Sequence, residues 1–307
     1  MDPIAPPRVP AAPAASLPAP PPTRRRLALV VGSGSVKCAA AFGLYRALLR
    51  EGIPIDRVVG CSGGSIVASA IALGFDPETC MRLSAALWTR EATRHPDRLA
   101  LLRILFPRLL GFEPGRFGLR RDTALRAALE GAFGGRTFAD ARIPLHVTAT
   151  DFHTGEQVVL GTGSIVEAIR ASIAIPFAFA PVAHEGRLLI DGFMSDPLPV
   201  NVAMREGGDL IVAMGFESPY QTQVRSAGRF AFQLSSVMTN NLLKASFAFH
   251  GLAHHGEVLL VVPRFEQRVR LFDTDKIPYI ADVGEQAIAE HLPYLRRLLA
   301  ADPATAP

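Results

Sequence analysis

Two short apolar runs, each followed at once by a glycine-rich turn and a helical pattern, constrain this chain more than any other feature. The first is Leu27-Ala28-Leu29-Val30-Val31, with Gly32-Ser33-Gly34-Ser35-Val36-Lys37 behind it; the second is Val58-Val59, with Gly60-Cys61-Ser62-Gly63-Gly64 behind it. Strands this short and apolar belong in a sheet covered on both faces. Between them Phe42, Leu44, Tyr45, Leu48 and Leu49 follow a helical pattern that Gly52 closes as a C-terminal cap. Strand, crossover helix and strand predict a parallel pair, with both glycine turns at the same sheet edge.

The second turn has the Gly-x-Ser-x-Gly form of a nucleophile elbow. Glycines flank the serine because strand and helix nearly touch there and leave no room for Cβ atoms. Ser62 then stands at a helix N-terminus, where unpaired N–H groups and the helix dipole favour developing negative charge. A plain Gly/Ser turn is the alternative for the pentapeptide alone. The first turn, Gly32 to Lys37, lacks the third glycine of a dinucleotide fingerprint and the Gly-Lys-Ser/Thr ending of a phosphate loop. Two readings remain: an ordinary strand-to-helix turn, or backbone N–H groups bared to hold an oxyanion.

The rest of the chain alternates strands and helices. A helix is expected from Pro77 to about Thr89 and another from Asp122 to Leu129. A hairpin pairs Leu145–Asp151 with Gln157–Leu160 across Thr154-Gly155, and Ser164 with Glu167 reads as a capping box opening a helix to Ser172. Leu188-Leu189-Ile190 is a strand ending in Asp191-Gly192, where the acid is either a turn-former or a carboxylate delivered to the sheet edge. A short helix to Met204, a strand Leu210–Met214, a helix Phe230–His255, a strand Val258–Pro263 and one final helix from Ile277 to Leu299 complete the expectation.

Residues 1–26 read as a disordered Pro/Ala-rich leader, since residues 1–22 hold nine of the 25 prolines. Residues 27–204 form the expected core, 205–301 add strands and helices packed on it, and 302–307 fray. With 307 residues and 49% hydrophobic composition the chain can bury a sizeable core. Cys38, Cys61 and Cys80 show neither a disulfide framework nor metal-ligand spacing, so no metal or cofactor is expected and a cytoplasmic location is the default. No run of about 18 apolar residues predicts a membrane span. Arg90 to Arg121 carries eight arginines against three acids, interleaved with leucines and phenylalanines. It suits a rim touching an anionic lipid surface, or an amphipathic helix and loop whose arginines solvate it. No nucleic-acid reading module is present, and nothing in the sequence sets an oligomeric state.

Taken in order, Gly32-Ser33-Gly34-Ser35-Val36-Lys37, Gly60-Cys61-Ser62-Gly63-Gly64 and Asp191-Gly192 resemble the patatin-like phospholipase family. Ala149-Thr150-Asp151, Arg170-Ala171-Ser172 with Ile175-Pro176, and Pro197 to Val200 are similar to its bacterial members. The resemblance implies an α/β/α sandwich with a mostly parallel central sheet. It also implies a lipid acyl hydrolase with Ser62 as nucleophile, Asp191 as general base, and Gly32, Gly34 and Ser35 in the oxyanion-hole loop. Lys37, Gly60, Gly63, Gly64 and Gly192 complete the matched motifs. Two positions depart: Cys38 stands where the family has glycine after the basic residue, and Phe193 follows Asp191-Gly192 where Gly or Ala is usual. Cys38 would strain the loop if its position required positive φ; Phe193 would narrow the pocket. Two other readings stay open. One is a Ser-Asp-His hydrolase drawing on His250, His254, His255 or His291, although the elbow after only the second strand argues against it. The other is a lipid- or acyl-binding protein of the same fold without turnover.

Overall fold

The computed structural model describes residues 24–89, 96–218, 220, 223–252 and 257–300. The expected leader up to residue 23, the tail from 302, residues 90–95 of the basic stretch, and His254 and His255 lie outside the described residues.

The elements run β1 (Leu27–Val31), α1 (Ala40–Arg50), β2 (Arg57–Cys61), α2 (Gly63–Ala72), α3 (Pro77–Leu87), α4 (Arg98–Leu105), α5 (Pro107–Leu110), α6 (Thr123–Phe133), β3 (Leu145–Asp151), β4 (Gln157–Leu160), α7 (Ile165–Ser172), β5 (Val182–His184), β6 (Arg187–Asp191), α8 (Val200–Arg205), β7 (Leu210–Met214), α9 (Ala227–Leu252), β8 (Glu257–Val261), α10 (Ile277–Ala289) and α11 (Leu292–Ala300). The strands form one sheet in the order β5-β6-β3-β2-β1-β7-β8, with β4 paired to β3 beside that path. The β3-β2-β1-β7-β8 stretch is parallel throughout, and the pairs β3–β4, β3–β6 and β5–β6 are antiparallel.

Alternation along β1 builds three layers. Leu27, Leu29 and Val31 join a core shared with α1, α2, α3, α7 and α10, whereas Ala28 and Val30 join a second core with α8 and Leu243 of α9. Successive side chains of a strand point to opposite faces, so a fully apolar strand needs a helical layer on each. Helix α10 crosses α1 at Gly43 and Gly284, where a Cβ would fall 1.7 Å from the Ala281 carbonyl oxygen or 1.9 Å from that of Ala40. The two backbones therefore touch.

Three expectations are corrected. The final helix is two: α10 ends at Ala289 and α11 starts at Leu292, with Pro293 in its first turn, where a missing N–H costs nothing. Strand β5 was not foreseen; it turns into β6 through Glu185 (φ 46) and Gly186 (φ 76), left-handed residues of a tight hairpin whose first member is not the usual Asn or Asp. The capping box is half formed. Ser164 accepts from the Glu167 N–H, but the Glu167 carboxylate goes to Arg170 at 2.6 Å and Arg126 at 3.4 Å. Pro107, Pro114 and Gly115 keep the basic stretch from forming one helix. Among the described residues no helix is long and apolar enough to cross a membrane.

Candidate active site

The position of the site follows from one strand, β3. On one edge its N-terminal half pairs with parallel β2, ending at Cys61 opposite Thr148; β4 occupies the other edge. Where β2 stops, antiparallel β6 takes over the same edge, with Asp191 opposite Ala149. The two strands run toward each other along β3, so their C-terminal ends meet. There is so little space between them that a Cβ on Gly192 would lie 2.5 Å from the Thr148 carbonyl oxygen and 3.0 Å from Cys61 Sγ.

At this junction Ser62 Oγ donates a hydrogen bond of 2.8 Å to Asp191 Oδ2. Ser62 has φ 53 and ψ −127, the sharp backbone of a strand-to-helix elbow, and is strained for a residue with a Cβ. The elbow is closed by packing: a Cβ on Gly64 would sit 2.2 Å from the Val31 carbonyl oxygen. It is also held by a bond. The Ser62 N–H donates to Ser172 Oγ at 2.8 Å, and that hydroxyl donates to the Thr148 carbonyl at 2.7 Å, filling the gap between the ends of β2 and β6.

Asp191 is fully buried. Its Oδ1 accepts from the Phe193 N–H at 3.1 Å, its own N–H donates to the Ala174 carbonyl at 3.0 Å, and its carbonyl accepts from Thr150 Oγ1 at 3.0 Å. Burial pushes the carboxyl from its ordinary 3.8 up to about 7, with the Phe193 N–H and the Ser62 hydroxyl pulling the other way. Desolvation prevails because both donors are neutral.

The glycine loop lies against the elbow: a Cβ on Gly63 would be 2.9 Å from the Ser35 nitrogen. The Gly32 N–H, expected at an oxyanion, is instead engaged by the Met214 carbonyl at 3.0 Å, and the Ser33 N–H by Pro197 at 2.8 Å. The Gly34 and Ser35 N–H groups have no hydrogen-bond acceptor among the described residues. Positive φ in this loop falls on Ser35, at 53, and not on Cys38. Cys38 sits in a 3-10 turn, Ser35–Ala39, where its thiol donates to the Gly32 carbonyl at 3.4 Å, so it fits where the family has glycine. Lys37 does not reach the Ser62–Asp191 pair; its ammonium donates to the Glu217 carbonyl at 2.9 Å and lies 5.6 Å from the centre of the Phe265 ring. Phe193 contributes its N–H to Asp191 and buries its ring.

Three residues that sequence reasoning left without a role support this geometry. Ser172 bridges elbow and β3. Thr150 accepts from the Ser195 N–H at 3.2 Å while donating to the Asp191 carbonyl, so Thr150 and Ser195 fix the turn after β6. A serine in the last turn of a helix carries no local signature, and only the fold places it between two strand ends. Among the described residues no histidine hydrogen-bonds to Ser62 or Asp191, and no group of three or more His, Cys, Asp or Glu could hold a metal.

Comparison with known proteins gives this arrangement a family. An uncharacterized NTE family protein of Mycobacterium tuberculosis is 32% identical over 202 residues, covering 66% of this chain and 52% of that protein. Patatin-like phospholipase domain-containing protein 7 of Rattus norvegicus is 26% identical over 208 residues, covering 67% of this chain and 15% of that protein. This chain thus spans about half the length of the mycobacterial relative. Among solved structures, VipD from Legionella pneumophila superposes with a TM-score of 0.49 at 14% identity, over 89% of this chain and 67% of that one. A family model described as patatin-like phospholipase matches residues 29–204, which is more than half of the sequence and includes both Ser62 and Asp191. The chain belongs to the patatin-like phospholipase family.

Proposed function

We propose that the protein is a lipid acyl hydrolase that cleaves carboxylic esters through an acyl-enzyme on Ser62, with Asp191 as general base. The observation that carries this reading is the 2.8 Å bond from Ser62 Oγ to a fully buried carboxylate whose pKa burial raises to about 7. An ordinary carboxylate is too weak a base for a serine hydroxyl; one raised toward the working pH is matched to the task.

In the first half-reaction Asp191 takes the Ser62 proton as Ser62 Oγ bonds to the ester carbonyl carbon. Charge moves to the carbonyl oxygen, next to the uncommitted Gly34 and Ser35 N–H groups and the N-terminus of α2. Collapse breaks the bond to the leaving alkoxide, which receives the proton from Asp191. In the second half-reaction water gives a proton to Asp191 and adds to the acyl carbon; Ser62 leaves and recovers that proton, and the free acid departs. Each half-reaction is neutral overall, so one shuttling proton suffices. The basic and apolar stretch Arg90 to Arg121 is assigned to contact with an anionic lipid surface, with Arg98, Arg103 and Arg108 on α4 and α5.

The test pairs turnover with labelling. Purified wild type should hydrolyse a medium-chain p-nitrophenyl ester and take up a fluorophosphonate probe, and Ser62→Ala should lose both. Labelling of a folded Ser62→Ala at the wild-type rate would refute Ser62 as nucleophile. A folded wild type that neither labels nor turns over would favour a binder without catalysis.

A further inference from the structure

The first part of helix α9 has its polarity reversed. It presents Ser236, Thr239 and Asn240 to the protein, while Phe230, Leu234, Val237 and Met238 face outward; further along, Leu243 and Phe247 pack on the core. Phe230 is 62% exposed and Leu234 51%. The buried polar side is satisfied: Asn240 clasps Ser218, accepting its N–H at 2.8 Å and donating to its carbonyl at 3.0 Å. The outward residues recur at i, i+4, i+7 and i+8, one continuous stripe about 12 Å long on the first part of the helix. An apolar stripe of this extent on an otherwise well-satisfied helix marks a contact surface.

Two observations identify what it contacts. The first is charge. Helix α9 holds Arg229 and Lys244 and no acidic residue. Helices α4 and α5 hold Arg98, Arg103 and Arg108, again with no acid, beside outward-facing Leu102, Phe106 and Leu109, the last 82% exposed. The second is place. Helix α9 packs on the turn Gly192–Met194 directly after Asp191. The segment following α5 is tied to the loop beyond α7, with Leu119 N–H donating to the Phe177 carbonyl at 3.0 Å and Phe117 edge-on to Phe177 at 6.2 Å. That loop includes Ala174, whose carbonyl accepts from the Asp191 N–H. Both apolar, cationic surfaces thus adjoin the residues that hold the dyad. A second copy of the chain is a poor fit, because an isologous contact would set cations against cations.

We infer that the outward face of α9 docks the protein on an anionic lipid bilayer, with α4 and α5 as a second contact beside the dyad. The stripe inserts below the headgroups and Arg229 and Lys244 pair with lipid phosphates, as in other interfacial amphipathic helices. This inference rests on the lipid-ester reading of the dyad for its purpose, but binding is measured apart from turnover.

The experiment is co-sedimentation of the full chain with phosphatidylcholine vesicles, with and without phosphatidylglycerol, alongside hydrolysis of soluble p-nitrophenyl butyrate. Wild type and Ser62→Ala should bind the anionic vesicles equally, with much weaker binding to phosphatidylcholine alone. Leu234→Glu/Val237→Glu and, separately, Arg229→Glu/Lys244→Glu should each lose at least tenfold in partitioning, since each cation near the headgroups contributes roughly fivefold. Both variants change exposed positions and should keep butyrate hydrolysis. Unchanged partitioning in both variants, or wild-type binding indifferent to phosphatidylglycerol, overturns the proposal. So does a variant that only converts a dimer to a monomer in analytical ultracentrifugation, which would make a second copy the occupant. Wild type that binds vesicles but hydrolyses no ester would leave the docking surface standing and remove the dyad reading.

Discussion

Asp191→Asn should remove activity and at the same time stabilise the protein above neutral pH. In the unfolded chain the Asp191 carboxyl releases its proton near its ordinary 3.8, whereas in the folded protein burial holds the proton until about pH 7. Between those values the folded state binds a proton that the unfolded state has lost, so the contribution of Asp191 to stability falls as pH rises. A difference of about three pH units corresponds to about 4 kcal/mol, absent below about pH 4 and fully present above about pH 7. Asparagine has the same shape and no titration. The comparison of variant with wild type therefore isolates this one group from every other carboxylate in the chain. Urea unfolding should show near parity at about pH 4, within the roughly 1 kcal/mol of altered hydrogen bonding. At about pH 8 the variant should be ahead by a few kcal/mol. Ester turnover should drop by about two to four orders of magnitude, the usual contribution of a general base. In wild type, turnover should rise about tenfold from pH 6 to pH 8 as Asp191 ionises. Identical pH dependence of stability in the two proteins would refute the claim that Asp191 is held against its ionisation. Retained turnover would refute its role as base.

Ser172→Ala should lower kcat on a soluble ester at least about tenfold with KM little changed, because the buried Ser62 N–H and Thr148 carbonyl lose their partner, a loss of about 1–3 kcal/mol. Ser172→Thr, which keeps the hydroxyl, should recover most of the rate, and equal kcat in all three proteins would show that packing alone sets the elbow. Gly64→Ala should fail to accumulate as folded protein or lose several kcal/mol in urea, since its Cβ would lie 2.2 Å from the backbone oxygen of Val31; a wild-type unfolding midpoint would contradict the tight elbow. Replacing His250, His254, His255 and His291 together by alanine should leave fluorophosphonate labelling and ester turnover intact, whereas loss of both in a folded variant would restore a triad.

How much of this was legible beforehand depended on whether the signal was local. The first two strands, the elbow and the glycine loop each reside in about ten consecutive residues whose apolar run and glycines state their geometry, so β1, β2 and the turn at Ser62 are where they were expected. The Leu145–Leu160 hairpin and the short apolar strand before Asp191 were readable for the same reason. The break at Glu290-His291 had a local cue in Pro293 that helical periodicity outweighed. Ser172 stood in a matched motif, Arg170-Ala171-Ser172, but neither the bridge it makes nor the Gly32 bond to Met214 had a local cue. They join positions 110 and 182 residues apart in the chain, and neither residue type nor spacing announces which carbonyl a given N–H will meet.

The same distinction explains why Asp191 could be recognised but not placed. An Asp-Gly pair at a strand end is common, and its meaning here comes from the direction of β6. Had β6 been parallel to β2, its C-terminal end would have pointed the same way as that of β2, and Asp191 would have lain a strand length or more from Ser62. Antiparallel pairing to the upper half of β3, on the edge β2 vacates at Cys61, turns the two C-terminal ends face to face. Hairpin β5–β6 is what reverses the chain to make this possible. The unforeseen strand is therefore part of the site. Lengthening β6 by even one residue before Asp191 would also shift every side chain to the opposite face, and the carboxylate that now meets Ser62 Oγ at 2.8 Å would turn away from it. The Ser62–Asp191 pair is thus a property of sheet register: two loops could not hold a strained serine and a buried, proton-hungry carboxylate at hydrogen-bond distance, but two strand ends locked to adjacent residues of β3 do.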